Sequence, residues 1–191
     1  MNKIFEKLTN QLKETIDSSV ALALHNKNQE VEVIHLLWAL LSNTNSVLNQ
    51  LLNKMNVNKV AVELEAKSYA SKLPSVSSVT KESIKLSRNL LSSLQSAEGL
   101  MASFGDKFIA VDTWLISNLD SSVIKDVLGK YVDLKEAKKE LEAMRAGKTI
   151  DSNSGDENLE ALNKYGIDLN KKAIDGLLDP VIGRDEQISR M

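Results

Sequence analysis

Apolar residues recur at every fourth position from the start of the chain: Ile4, Leu8, Leu12, Ile16, Val20 and Leu24, with Phe5 widening the stripe. That spacing predicts a helix with one buried face. After the polar turn HNKNQ, the segment VEVIHLLWALLS carries Val31, Ile34, Leu37, Trp38 and Leu41, again at helical spacing. SVLNQLLNKMNV predicts a short third helix and NKVAVELEAKSYASKL a longer fourth. Pro74 closes this run and opens the polar stretch PSVSSVTKES.

The pattern then returns. A shift of 78 positions lays Leu12 on Leu90, Ile16 on Leu94, Val31 on Ile109, Leu37 on Leu115 and Leu41 on Leu119. A shift of 76 lays Val47, Leu48, Leu51 and Leu52 on Val123, Ile124, Val127 and Leu128. LKEAKKELEAMRAG supplies the fourth helix of the second unit. The same elements in the same order predict an internal duplication, and neither half is large enough to bury a good core alone. The expected fold class is all-α: about eight short helices in two pseudo-repeats of four, residues 1–73 and 74–146, packed face to face in one domain, 1–146. The small and polar residues of GKTIDSNSGDEN, 147–158, read as a flexible linker. Residues 159–191 form a tail, expected to be short, helical and partly disordered alone. It closes on LLDPVIGRDEQISRM, in which Asp179-Pro180 signals a turn and Asp185 a helix N-cap. That stretch reads as the entry into a further unit.

Composition narrows the function. The hydrophobic fraction is 42% but aromatics make up only 4%, so the core must be built from aliphatic residues, which suits helices. A net charge of −2 with no basic excess argues against nucleic acid or an anionic membrane as partner. There is no cysteine, which excludes disulfides and thiolate metal sites and fits a reducing compartment. MNKIFEKLTN lacks the apolar core of a signal peptide, and no apolar run has transmembrane length, so the expected location is the cytoplasm.

Candidate catalytic chemistry falls away on inspection. Gly147-Lys148-Thr149 ends like a phosphate loop, but the position that needs the earlier glycine is Glu142, inside a helix. Asp151-Ser152-Asn153-Ser154-Gly155 starts like a calcium loop, but its glycine comes one position early and Leu162 stands where the bidentate Glu belongs. His25 and His35 make no metal set without further ligands; a helix-end His25 and a packed His35 are the expected roles. No enzyme active site, metal or cofactor is expected within this chain. What remains is a binding surface. GLMASFGDKFI clusters Leu100, Met101 and Phe104 at the end of the fifth helix, with Gly99 and Gly105 loosening the backbone around them. Such residues suit variable partners, although Met101 also continues the core stripe from Leu94 and Ala97.

These motifs resemble a known family. The duplicated pattern, with VEVIHLLWALL in one repeat and GDKFIAVDTWLISNL in the other, resembles the Clp N-terminal domain that precedes the ATPase rings of Clp/Hsp100 chaperones. The lead-in AMRAGKT and the tail LEALNKYGIDLNKKAIDGLLDPVIGRDEQISR look most like the ClpB-type disaggregases. The resemblance implies a non-catalytic substrate-recognition domain that engages unfolded or aggregated polypeptide through an apolar groove with an acidic rim. Carried over onto matching positions, it implies Thr9, Leu100, Asp106 and Asp112 as substrate-binding residues; Met101 and Phe104 join them to compensate for Ser96 and Thr113, where the family has leucine. It implies Val181 and Ile182 as adenine contacts only in the complete protein, where ATP and Mg would be cofactors and a homohexamer and a DnaK-type chaperone system the partners. The isolated chain is expected to be a monomer. The alternative within the family is the N-domain of a Clp protease unfoldase, docking adaptors or degrons.

Overall fold

The stripe that starts at Ile4 is broken before the first helix begins. In the computed structural model, which describes residues 3–155 apart from 153, Ile4 sits in a 3-10 turn, Lys3–Lys7, and Leu8 is extended. Thr9 is the reason. Its backbone is extended, and its Oγ1 accepts from the Leu12 N–H at 3.2 Å, so it caps helix α1, Asn10–His25. A hydroxyl at this position satisfies one of the donors that a helix start leaves open. Within α1 the buried set is Leu12, Thr15, Ile16, Ser19 and Ala23, whereas Val20 and Leu24 are half-exposed. An every-fourth-residue stripe drifts around a helix of 3.6 residues per turn, and small hydroxyl residues fill the seam it leaves.

A two-residue strand β1, Glu30–Val31, leads into α2, Val33–Ser42. Then come α3, Val47–Lys54, and α4, Lys59–Ser71. The second repeat follows with strand β2, Lys85–Leu86, and helices α5, Arg88–Phe104; α6, Val111–Asn118; α7, Ser122–Val127; and α8, Leu134–Arg145. Helix α2 is buried from Val33 through Leu41, and α6 is buried at all but one of its eight positions. Helices buried on nearly every side lie in the middle of a domain. The other helices wrap this pair with one apolar face each, as aliphatic side chains and Trp114 form one continuous core.

The duplication is written into the backbone pairing. Leu8 bridges Ile109 in parallel, and Val31 pairs in parallel with Leu86. The shift of 78 carries one pair onto the other. Thr9 donates its N–H to the Ile109 carbonyl at 3.0 Å, and Ser87 donates to that of Val31 at 2.9 Å. Ser87 in turn caps α5 by accepting from the Leu90 N–H, as Thr9 caps α1. Each repeat thus completes the other's helix entry. The strands are an addition to the expected helical picture, and they are only long enough to fix these entries.

A polar site recurs as well. In the first repeat, buried Asn28 donates from Nδ2 to the Pro74 carbonyl at 3.0 Å and accepts from His35 Nε2 at 2.9 Å. His35 Nδ1 accepts from the Glu32 N–H, closing a capping box on α2. Asn28 and His35 map by the same shift onto Asp106 and Thr113.

Among the described residues no helix is long and apolar enough to cross a membrane. The expected tail, with Val181 and Ile182, lies outside the described residues, as does the end of the expected linker.

Candidate binding site

Helix α5 ends where Gly105 adopts φ 76°, a conformation that costs a residue with a Cβ. The Gly105 N–H reaches the Ala102 carbonyl and the Asp106 N–H reaches that of Met101, a Schellman turn. The glycine therefore fixes the backbone here, where looseness was expected, and it aims Asp106 at the first turn of α6. There Asp112 sits, followed by Thr113.

Asp106 and Asp112 do not form an exposed rim. They are 6% and 5% exposed, and Arg145 at the end of α8 lies between them, itself 5% exposed. Its fork donates from Nε and Nη2 to the two carboxylate oxygens of Asp112, at 2.9 and 2.5 Å. Nη1 donates to Asp106 Oδ2 at 2.6 Å, and Nη2 also reaches Thr113 Oγ1 at 2.9 Å. The Phe104 ring lies 5.1 Å from the guanidinium carbon, a cation–π contact. Desolvation works to lower the Arg145 pKa, but the hydrogen bonds and charge of Asp112 first, then Asp106, raise it above the ordinary arginine value. Two carboxylates share one guanidinium in a dry site, where the geometry of the fork decides whether pairing offsets desolvation.

The expected linker also departs from expectation at this point. Ala146 and Gly147 turn the chain back with φ 53° and 75°, and Ile150 is 1% exposed. The Ile150 N–H donates to Asp106 Oδ1 at 2.8 Å, and its carbonyl accepts from the Lys107 N–H at 2.8 Å. A single aliphatic residue in a polar run gives no periodic signal, which is why the sequence reads this stretch as free chain.

The structure gathers Phe104, Asp106 and Asp112 around Arg145, a residue the sequence reading did not single out. Thr9 is fully buried and sits at the α1 cap, where its N–H meets the Ile109 carbonyl. Met101 is half-buried against the core. Leu100 faces a different feature, an open cleft of about 540 Å³ between α5, α6, α7 and α8. Its apolar floor is Leu100, Ile116, Leu119 and Leu134, and its edge carries Lys125, Lys135 and Lys138 against Asp120 and Glu142. The edge of the open cleft is thus more basic than acidic, and the two nominated carboxylates do not line it.

Two helical repeats that complete one another's helix entries, with an apolar cleft and a closed carboxylate site on the second, define a duplicated helical domain. The chain belongs to the Clp repeat N-terminal domain family, whose model matches residues 7–131. It is 58% identical over 187 residues to the chaperone protein ClpB of Wolinella succinogenes and 53% identical over 188 residues to that of Helicobacter hepaticus. Both matches cover 98% of this chain but 22% of the relative, so the chain spans about a fifth of the length of those proteins. The crystal structure of the Hsp104 N-terminal domain from Candida albicans shares the fold, with a TM-score of 0.71 at 22% identity. That match covers 78% of this chain and 99% of that one.

Proposed function

We propose that this domain recognises unfolded or aggregated polypeptide for an ATP-dependent disaggregase of the ClpB type. The observation that carries the reading is the open cleft with its floor of Leu100, Ile116, Leu119 and Leu134. A cleft of this size seats a few apolar side chains of an extended chain. The lysine stems at its edge add apolar surface while keeping their charges in water. Binding is weak, because a flexible client loses conformational freedom when it is held. Weak, general binding suits a domain that must accept many sequences. ATP hydrolysis, threading through a homohexameric ring and cooperation with a DnaK-type system belong to the longer protein. Asp106 and Asp112 join the client surface only when Arg145 leaves them. Thr9 acts at a distance, by holding the α1 entry against Ile109.

The test is an amide-resolved NMR titration with a permanently unfolded polypeptide. Shifts are expected at Leu100, Ile116, Leu119 and Leu134, and Leu100→Asp is expected to abolish them while leaving the rest of the spectrum in place. A spectrum unchanged at high polypeptide concentration refutes client binding by this domain and favours docking of a folded adaptor, as in the N-domain of a Clp protease unfoldase.

A further inference from the structure

The carboxylate half of the site holds a peptide already: the chain's own segment from Arg145 to Ile150. The features by which it is held are those of ligand recognition. A guanidinium enters a pair of carboxylates with Phe104 against it. Five residues on, an aliphatic side chain is buried. At that residue both main-chain groups are read, the N–H by Asp106 and the carbonyl by the Lys107 N–H. Main-chain bonds supply affinity in such an arrangement, and side-chain pockets supply selectivity. The turn that delivers the segment is strained, since Ala146 holds a left-handed conformation at φ 53° that release would relax.

The first repeat makes the equivalent closure with different chemistry. There Asn28 holds the Pro74 carbonyl through a neutral contact, and the Val76 N–H donates to Lys27. That segment leads into β2, which pairs with β1. The second repeat replaces Asn28 by Asp106 and adds a charged partner, which makes its closure selective for a cation.

We infer that Arg145–Ile150 is a resident ligand of the second repeat. The site takes a turned peptide carrying an arginine followed five positions later by an aliphatic residue, and such client segments compete with the chain's own. The inference rests on the client-binding reading above for the identity of the competitor, though not for the occupancy itself. A site filled in cis binds an outside ligand with an affinity reduced by the fraction of time it stands open.

The experiment measures fluorescence anisotropy of a labelled peptide with the sequence of residues 143–151, AMRAGKTID, against the whole chain and against Ile150→Ser. Loss of the aliphatic anchor is expected to open the site and tighten peptide binding by about tenfold or more, given the usual worth of a buried isoleucine. A peptide with its arginine replaced by alanine is expected to bind neither protein. Equal affinity of the peptide for both proteins, or indifference to the arginine, overturns the inference. If the peptide binds Ile150→Ser and unfolded polypeptide fails to displace it, cis occupancy stands, competition by clients at this site falls, and the cleft reading is decided separately by the titration above. Should Ile150→Ser lose its fold, hydrogen exchange on the unmodified chain decides. The Ile150 and Lys107 amides are then expected to open well before core amides such as that of Leu94, and equal protection overturns the inference.

Discussion

Acid should weaken this domain through one buried histidine. His35 is fully buried, and burial lowers its pKa from 6.5 to about 4. Its hydrogen bonds define the neutral tautomer. Nδ1 accepts from the Glu32 N–H, so the proton sits on Nε2 and points at Asn28 Oδ1. A second proton would have to go on Nδ1, where it faces a donor. The unfolded chain protonates its histidine near pH 6.5 and the folded chain does so only near 4, so the unfolded state binds more protons between those values. The stability that neutral His35 contributes is therefore complete above pH 6.5 and lost progressively as pH falls toward 4. A shift of this size corresponds to about 2 kcal/mol lost by pH 5 and about 3 kcal/mol by pH 4. Urea denaturation of the wild type and of His35→Gln at pH 7, 6, 5 and 4 isolates the term, because other titrations cancel in the difference. Glutamine keeps an acceptor at the third position of the capping box and does not titrate. The variant should be the weaker protein at pH 7, and the gap should narrow by about 2 kcal/mol at pH 5. A gap that stays constant across this range would refute the reasoning.

Thr9→Ala and Ser87→Ala remove equivalent caps, and each should cost about 1 kcal/mol in urea denaturation, with similar values for both if the pseudo-symmetry is energetic as well as geometric. Ser93→Ala leaves the buried Trp114 indole N–H without the hydroxyl it meets at 2.9 Å, and should cost about 1–3 kcal/mol by the same assay. Gly105→Ala forces a Cβ into the left-handed region and should lower stability by about 1–2 kcal/mol, while displacing the NMR signals of Asp106 and Asp112.

The duplication was legible because hydrophobic period survives divergence, and it survives at positions such as Leu12 and Leu90 that pack into one core. Element boundaries were less so. Ile4 and Leu8 extend the apolar stripe of α1 without belonging to that helix, since the hydroxyl of Thr9 starts it at Asn10 and hydroxyl caps are easily lost inside an amphipathic pattern. The candidate site was half legible. Leu100 could be nominated from the apolar cluster near Gly105, and it does face the open cleft. Asp106 and Asp112 were expected on an acidic rim because the family resemblance implied one. Their partner comes from a helix whose sequence, LKEAKKELEAMR, reads as charged and exposed, and a contact between distant segments leaves no periodic trace. Ile150 was hidden for the same reason: one apolar residue among polar ones has no period.

The crossed pairing of the helix entries bears on how this domain is made. Leu8 and Ile109 meet across roughly a hundred residues of chain, so the first helix entry cannot be completed until about half of the second repeat exists. During vectorial synthesis the leading half emerges with an extended edge at Leu8 and Val31 that has no partner yet. Contacts of such long separation slow the crossing of the folding barrier, and unpaired extended segments are prone to find strangers. The two repeats, alike as they are, should therefore appear in one cooperative step rather than one after the other. A ribosome-stalled chain ending before Ile109 should remain protease-sensitive throughout its first half.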